Sequence, residues 1–213
     1  MTFRNLYKIN QYFFIGFFLF LIISLFILLF YSKANGFYLL NPFHARWLDY
    51  FFTVYTYVGD GYFCFSAGLL LFVFKDRYTG LMAMVTYSVS GILSQVLKNY
   101  ILEARPAVNV NTSGYTHFIE NVTLHNFHSF PSGHTTSAFA LAAVLSFGAK
   151  NKKYTILYLA LAMLVGYSRI YLGQHFPDDV VAGALLGAVT SVICWMSFEK
   201  LFTRWLSKGK GNT

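Results

Sequence analysis

The sequence predicts an all-α protein, a bundle of six transmembrane helices. Three observations carry that expectation. Of the 213 residues, 56% are hydrophobic and only 11% are charged, against about 25% charged in a typical soluble domain. Apolar runs near the ~20 residues needed to cross hydrocarbon recur six times. Lys and Arg collect in short clusters at alternate gaps between those runs, as in a membrane protein. The length fits one domain over residues 1–213.

The first expected span, residues 12–31, is uncharged and rich in Phe, Leu and Ile. Arg4 and Lys8 precede it and Ser32-Lys33-Ala34 follows, so a cleaved leader is the alternative. Its apolar stretch exceeds the ~7–15 residues of a signal core, which favours a span. The second, residues 58–74, is short and opens on Gly59-Asp60-Gly61. The third and fourth cover residues 80–97 and 132–149. The fifth covers residues 154–172 with Arg169 near its end, and the sixth covers residues 180–198. Cys64 and Cys194 lie inside apolar runs and read as small buried or lipid-facing residues, with no CxxC motif.

Charge sets the orientation. Arg4 and Lys8, Lys75 and Arg77, Lys150, Lys152 and Lys153, then Lys200, Arg204, Lys208 and Lys210 all fall on one side of a six-span chain. By the positive-inside rule that side is cytoplasmic. Lys33, Arg46, Lys98, Arg105 and Arg169 fall on the other. The net charge of +8 does not imply nucleic acid, because it is dispersed between apolar runs and not gathered on a polar foldable segment. The longest loop, residues 98–131, lies outside; loops of this length are commonly functional or disordered. Its Asn111-Thr112-Ser113 and Asn121-Val122-Thr123 match a glycosylation sequon that matters only in a eukaryotic secretory setting. His117, His125 and His128 make it His-rich, but no carboxylate or Cys joins them at a recognised ligand spacing, and no metal is expected. His44 has no evident partner in the sequence.

Three polar clusters stand at the outer ends of the spans. Lys98 and Arg105 are seven apart, so on a continuous helix they would share a face and attract an anion. Pro106 discourages that helix from continuing. Taken alone, the two cations read first as interfacial snorkelling or anchoring. Phe130-Pro131-Ser132-Gly133-His134 opens the fourth span: Ser132 is a good N-cap, and free N–H groups at a helix start favour anions. Gly133 lets backbone approach closely, and His134 titrates near neutrality. An ordinary cap beside an interfacial histidine is the bland alternative. In the third cluster Arg169 offers planar donors suited to phosphate. His175 and Asp179 are four apart, on one side of a helix starting near Pro177. An aspartate on one ring nitrogen leaves the other as a nucleophile.

Together these clusters resemble the type 2 phosphatidic acid phosphatase superfamily, whose signature is Lys-x6-Arg-Pro, then Pro-Ser-Gly-His, then Ser-Arg-x5-His-x3-Asp. Every one of those residues is present, in order and at those spacings, between Lys98 and Asp179. The resemblance implies a six-helix membrane fold and a lipid phosphatase that forms a phosphohistidine. In that reading Lys98, Arg105 and Arg169 hold phosphate with Ser132 and the Gly133 backbone. His175 attacks phosphorus, Asp179 orients it, and His134 protonates the leaving oxygen and then activates water. No cofactor or metal is implied, because three cations compensate the phosphoryl charge. The partners are the bilayer and a lipid phosphate: undecaprenyl diphosphate, phosphatidic acid, phosphatidylglycerol phosphate or a lipid A phosphate. The small size looks like bacterial members, with the site facing the periplasm or exterior of the inner membrane. A non-catalytic lipid-phosphate carrier is the alternative on the same fold. A vanadate-dependent haloperoxidase shares the anion site, but those enzymes are typically soluble.

Overall fold

The computed structural model describes residues 2–109, 117, 119 and 122–209. Among them there are helices and no strands. The two sequons begin at Asn111 and Asn121, which lie outside the described residues, as does Lys210. A short α1 (Phe3–Ile9) leads into α2 (Gln11–Phe30), followed by α3 (Lys33–Leu40). Next come α4 (Arg46–Tyr55), a 3₁₀ turn (Thr56–Gly59) and α5 (Gly61–Phe74). Then α6 (Arg77–Tyr100) leads through the four-residue α7 (Pro106–Asn109) to the long loop. Finally α8 (Gly133–Gly148), α9 (Tyr154–Tyr171) and α10 (Pro177–Gly209) complete the fold.

Among the described residues, four helices are long and apolar enough to cross a membrane: Gln11–Phe30, Arg77–Tyr100, Tyr154–Tyr171 and Pro177–Glu199. They coincide with the first, third, fifth and sixth expected spans. The second is a broken one: Arg46–Gly59 and Gly61–Phe74 meet at 55° and pass the same test together. The expected start at residue 58, set by Gly59-Asp60-Gly61, falls inside this pair, because charged Arg46 and Asp49 interrupt the apolar run before the break. The fourth is α8, whose 16 residues rise about 24 Å, short of the ~30 Å hydrocarbon core. Length and composition among the described residues therefore support four spans, or five with the bent pair, and do not by themselves confirm α8 as the sixth.

The short α8 is the hub. It packs on α10, α9 and α6, and all but a few of its residues are buried. Its sequence explains this: Thr135, Thr136, Ser137, Ala138, Ala140, Ala142 and Ala143 present small side chains on every face. In apolar surroundings helix association relies on such close packing. Gly183 and Gly187 of α10, one turn apart, accept the approach. A Cβ at Gly183 would lie 2.6 Å from the Ser132 carbonyl oxygen, and one at Gly187 2.3 Å from that of Thr136. By contrast α2 carries exposed Phe18, Ile22, Ile23, Phe26, Leu29 and Phe30, the surface of a lipid-facing helix.

Contacts gather the basic turns at one end of the bundle. Lys152 Nζ donates to Asn10 Oδ1 at 2.8 Å and to the Ser146 and Phe147 carbonyls, joining the start of α2 to the α8–α9 turn. Gly148 abuts Thr79, whose hydroxyl donates to Asp76 in the α5–α6 turn. Lys98, Gly133 and Arg169 lie at the opposite helix ends.

Gly187→Leu should cost about 1–3 kcal/mol or more by overpacking the α8–α10 contact. Gly91→Ala, where an added Cβ meets nothing within 4 Å, should be neutral or slightly stabilising. Thermal unfolding of both variants in detergent checks the contrast.

Candidate active site

The three motif clusters enclose one cavity of about 390 Å³ at that second end. Lys98, Arg105, Gly133, His134, Arg169 and His175 line it, with Thr56, Tyr57, Asp60, Thr123, His125 and Gln174. Asp179 stands behind His175 and is fully buried. Ser132 does not reach the lining: it caps α8, and its hydroxyl accepts from Thr135 Oγ1 at 2.9 Å with no exposure.

Lys98 and Arg105 meet by a route the seven-residue spacing does not describe. The helix ends at Tyr100, so they share no continuous helix. The chain then runs beside the segment before α8: Arg105 N donates to Asn126 O, and Ser129 N to Glu103 O. Lys98 Nζ donates to the His128 carbonyl at 2.8 Å. Arg105 donates to the Phe127 carbonyl and to both oxygens of Gln174. Arg169, buried at the end of α9, donates to Thr56 Oγ1 at 2.7 Å, and its Nε has no partner among the described residues. All three cations are thus held by neutral acceptors.

Gly173, at φ 65°, turns the chain out of α9, and Gln174 N and His175 N both donate back to the Arg169 carbonyl. His175 is 2% exposed. Its Nδ1 lies 3.4 Å from Asp179 Oδ2 and equally far from Ser129 Oγ. Asp179 Oδ2 accepts from Ser129 Oγ at 2.5 Å and from Phe176 N at 2.8 Å. Engaging Nδ1 leaves Nε2 as the ring nitrogen for the cavity. Burial, reinforced by Arg105, Arg169 and Lys98, holds the His175 pKa well below its ordinary value. A neutral imidazole with an oriented ring is competent to attack phosphorus.

Sequence reasoning missed several participants. Ser129 bridges Asp179 and His175 from a loop with no recognisable pattern. Thr56 sits in the break of the bent pair. Asp60, at the same break, was legible in principle, since an ionisable residue inside an apolar stretch is a functional hypothesis by default. Lys33 pairs with Glu103 and with Asp178 Oδ2 at 2.9 Å. Burial works against its charge, but those hydrogen bonds outweigh it and raise its pKa.

The histidines of the long loop disperse. His117 Nε2 lies 3.1 Å from Asp49 Oδ1, His128 Nδ1 lies 2.9 Å from the Lys98 carbonyl, and His125 lines the cavity. His44, Asp49 and His117 bring ligand atoms within 4.8 Å. The two rings are stacked at 3.8 Å and 22°, so their nitrogens do not converge on one in-plane point. Glu103, Asp178 and Asp179 also gather within 4.8 Å, with the Lys33 ammonium beside them.

A cationic cavity at the end of an apolar helical bundle, with a His–Asp pair on one wall and a second histidine on another, is a candidate site for phosphoryl transfer. Residues 79–203 match the family model of the PAP2 superfamily, and the chain belongs to that superfamily. It is 31% identical over 198 residues to an undecaprenyl-diphosphatase of Sulfolobus acidocaldarius, spanning 89% of each chain. The fold is similar to the crystal structure of Aquifex aeolicus LpxE, with a TM-score of 0.66 and 34% identity over 78% of this chain and 96% of that one. It is also similar to a transmembrane PAP2-type phosphatidylglycerolphosphate phosphatase from Bacillus subtilis. There the TM-score is 0.64 and the identity 27%, over 87% of this chain and 96% of that one.

The lowered His175 pKa has a consequence for stability. As pH falls, the unfolded chain binds a proton at this histidine before the folded one does. Its contribution is therefore whole above the ordinary value of 6.5 and is lost as pH falls toward the folded pKa. Melting curves in detergent between about pH 7 and pH 5 should fall less steeply for His175→Asn than for the native protein.

Proposed function

We propose that this protein is a metal-independent membrane lipid phosphatase acting through a phosphohistidine on His175. Family membership supports membrane lipid phosphatase activity. The observation that carries the mechanism is the His175–Asp179 pair facing a cavity that also holds Lys98, Arg105, Arg169 and His134. His175 Nε2 attacks phosphorus, the bond to the lipid oxygen breaks, and His134 gives that oxygen a proton. Water then loses a proton to His134 and attacks the phosphohistidine, and the N–P bond breaks to release phosphate. The three cations balance the charge on the equatorial oxygens, the task a divalent ion performs in other phosphoryl transferases. The Gly133 N–H at the start of α8 adds a donor. Ser132 contributes by holding that turn.

The substrate class is a lipid phosphomonoester or diphosphate. The named relatives include an undecaprenyl-diphosphatase and a phosphatidylglycerolphosphate phosphatase, one of each kind. The bundle crosses the membrane six times in this reading, with α8 as a short span sunk among its neighbours. The basic turns face the cytoplasm by the positive-inside rule, so the cavity faces the periplasm or exterior of a bacterial inner membrane.

Quenching turnover with labelled lipid phosphate should trap acid-labile, base-stable phosphate on the peptide carrying His175. His175→Ala should abolish turnover, and His134→Ala should cost on the order of 10²–10⁴ in rate. Label on another residue, or turnover by His175→Ala, overturns the mechanism. Chelation should leave the rate unchanged, and an impermeant thiol reagent on intact cells should label a Cys placed at Asn111 but not one at Lys152. Rescue of a chelated enzyme by one divalent ion would reveal a metal requirement.

A further inference from the structure

His134 has a problem that the family motifs do not solve. To act as an acid it must carry a proton, yet Lys98, Arg105 and Arg169 line the same cavity, and His175, His125, Tyr57 and Asp60 are its other titratable groups among the described lining residues. Three nearby cations oppose protonation of an imidazole. Among the described lining residues Asp60 is the sole carboxylate. Its Oδ2 lies 3.9 Å from His134 Nε2, within ion-pair range though beyond a hydrogen bond.

Several features build this placement. Asp60 sits where the bent pair breaks by 55°, which turns the carboxylate into the cavity rather than along a helix face. Its other oxygen, Oδ1, is fixed by the Tyr62 N–H at 2.8 Å as the cap of α5. On one side Gly59 packs on the first turn of α8: a Cβ there would lie 2.7 Å from the His134 carbonyl oxygen. On the other, Gly61 lies against the Tyr87 ring, whose hydroxyl would be 2.0 Å from an added Cβ. The close packing of Gly59 and Gly61 therefore holds the Asp60 carboxylate beside the His134 ring from a segment outside the three motif clusters.

We propose that Asp60 is a positioning residue that keeps His134 protonated as the general acid, a role resting on the mechanism proposed above. The imidazolium gives its Nε2 proton to Asp60 as a hydrogen bond and keeps its Nδ1 proton for the leaving oxygen. After that transfer the neutral ring retains the hydrogen bond to Asp60, and its bare nitrogen accepts the proton from water in the second step. The cavity then holds two Asp–His pairs with opposite tasks. Asp179 orients a neutral nucleophile, and Asp60 sustains a charged acid.

Asp60→Asn tests this, since Asn caps a helix as well as Asp and only the charge is removed. Asp60→Ser, a second uncharged cap, must behave alike, and thermal melts in detergent confirm that both fold. The probes are phosphatidic acid in mixed micelles and 4-nitrophenyl phosphate, whose leaving group needs no proton. The kcat/KM for phosphatidic acid should fall about tenfold or more, while 4-nitrophenyl phosphate should lose far less. The basic limb of the phosphatidic acid profile should move to lower pH by about 1–3 units, the shift expected when an opposite charge is removed at this range. An unmoved limb, or equal loss on both substrates, means that Asp60 is only a cap and overturns the proposal. His134→Ala in the same assay separates the two claims. Selective loss on phosphatidic acid there, with an unaffected Asp60→Asn, sinks the Asp60 role alone. Native turnover of phosphatidic acid by His134→Ala sinks the general acid and Asp60 with it.

Discussion

The site depends on holding three cations together at the end of an apolar bundle without neutralising them. A nearby acid on each would make a more comfortable resting state and a poorer phosphate site. Instead Lys98 and Arg105 rest on main-chain carbonyls and Gln174, and Arg169 rests on Thr56. These acceptors satisfy N–H groups without cancelling the charge, which a phosphate in the proposed reaction would meet with two or three charge-assisted bonds. The carboxylates are sorted accordingly. Glu103 and Asp178 are drawn away by Lys33, and Asp179 is held behind His175 by Ser129 and the Phe176 N–H. Asp60 alone of the described lining residues brings negative charge into the cavity.

That arrangement needs firm ground, and α8 supplies it. Its N-terminus carries Gly133 and His134, and Ser132 N donates to the Asp179 carbonyl at 3.0 Å. The cap of α8 and the first turn of α10 are thereby joined through main chain. Close packing of small residues below this joint leaves α8 little freedom to shift against α10. In-line phosphoryl transfer tolerates little error in position; in the proposed mechanism the acid, His134, sits in the first turn of α8 and the nucleophile, His175, just before α10.

Much of this was legible in the sequence because membrane helices and ligand clusters announce themselves locally. Uncharged runs located α2, α6, α9 and α10, and the Pro177 start of α10 brought His175 and Asp179 to one side as the spacing required. Three things were not legible. The α4–α5 break hid because Arg46 and Asp49 interrupt the apolar count while the helix continues. The meeting of Lys98 and Arg105 came from pairing of residues 103–105 with 126–129, a long-range contact that helical periodicity cannot see. The supporting groups Ser129, Thr56 and Lys33 are common residues in unremarkable surroundings, and only their partners give them meaning.

The Lys33 node also changes where the working unit of this chain begins. The two helices before it hold none of the family's motif residues and could pass for an anchor. Yet Lys33 is the cation to which Glu103 and Asp178 converge, and its charge bears on Asp179. A fragment starting at α6 would keep every signature residue but lose the ammonium on which Glu103 and Asp178 converge. It would be expected to splay the segment before Arg105 from the start of α10 and scatter the residues proposed to hold phosphate. The smallest part of the chain that carries a working site is therefore larger than its motifs suggest.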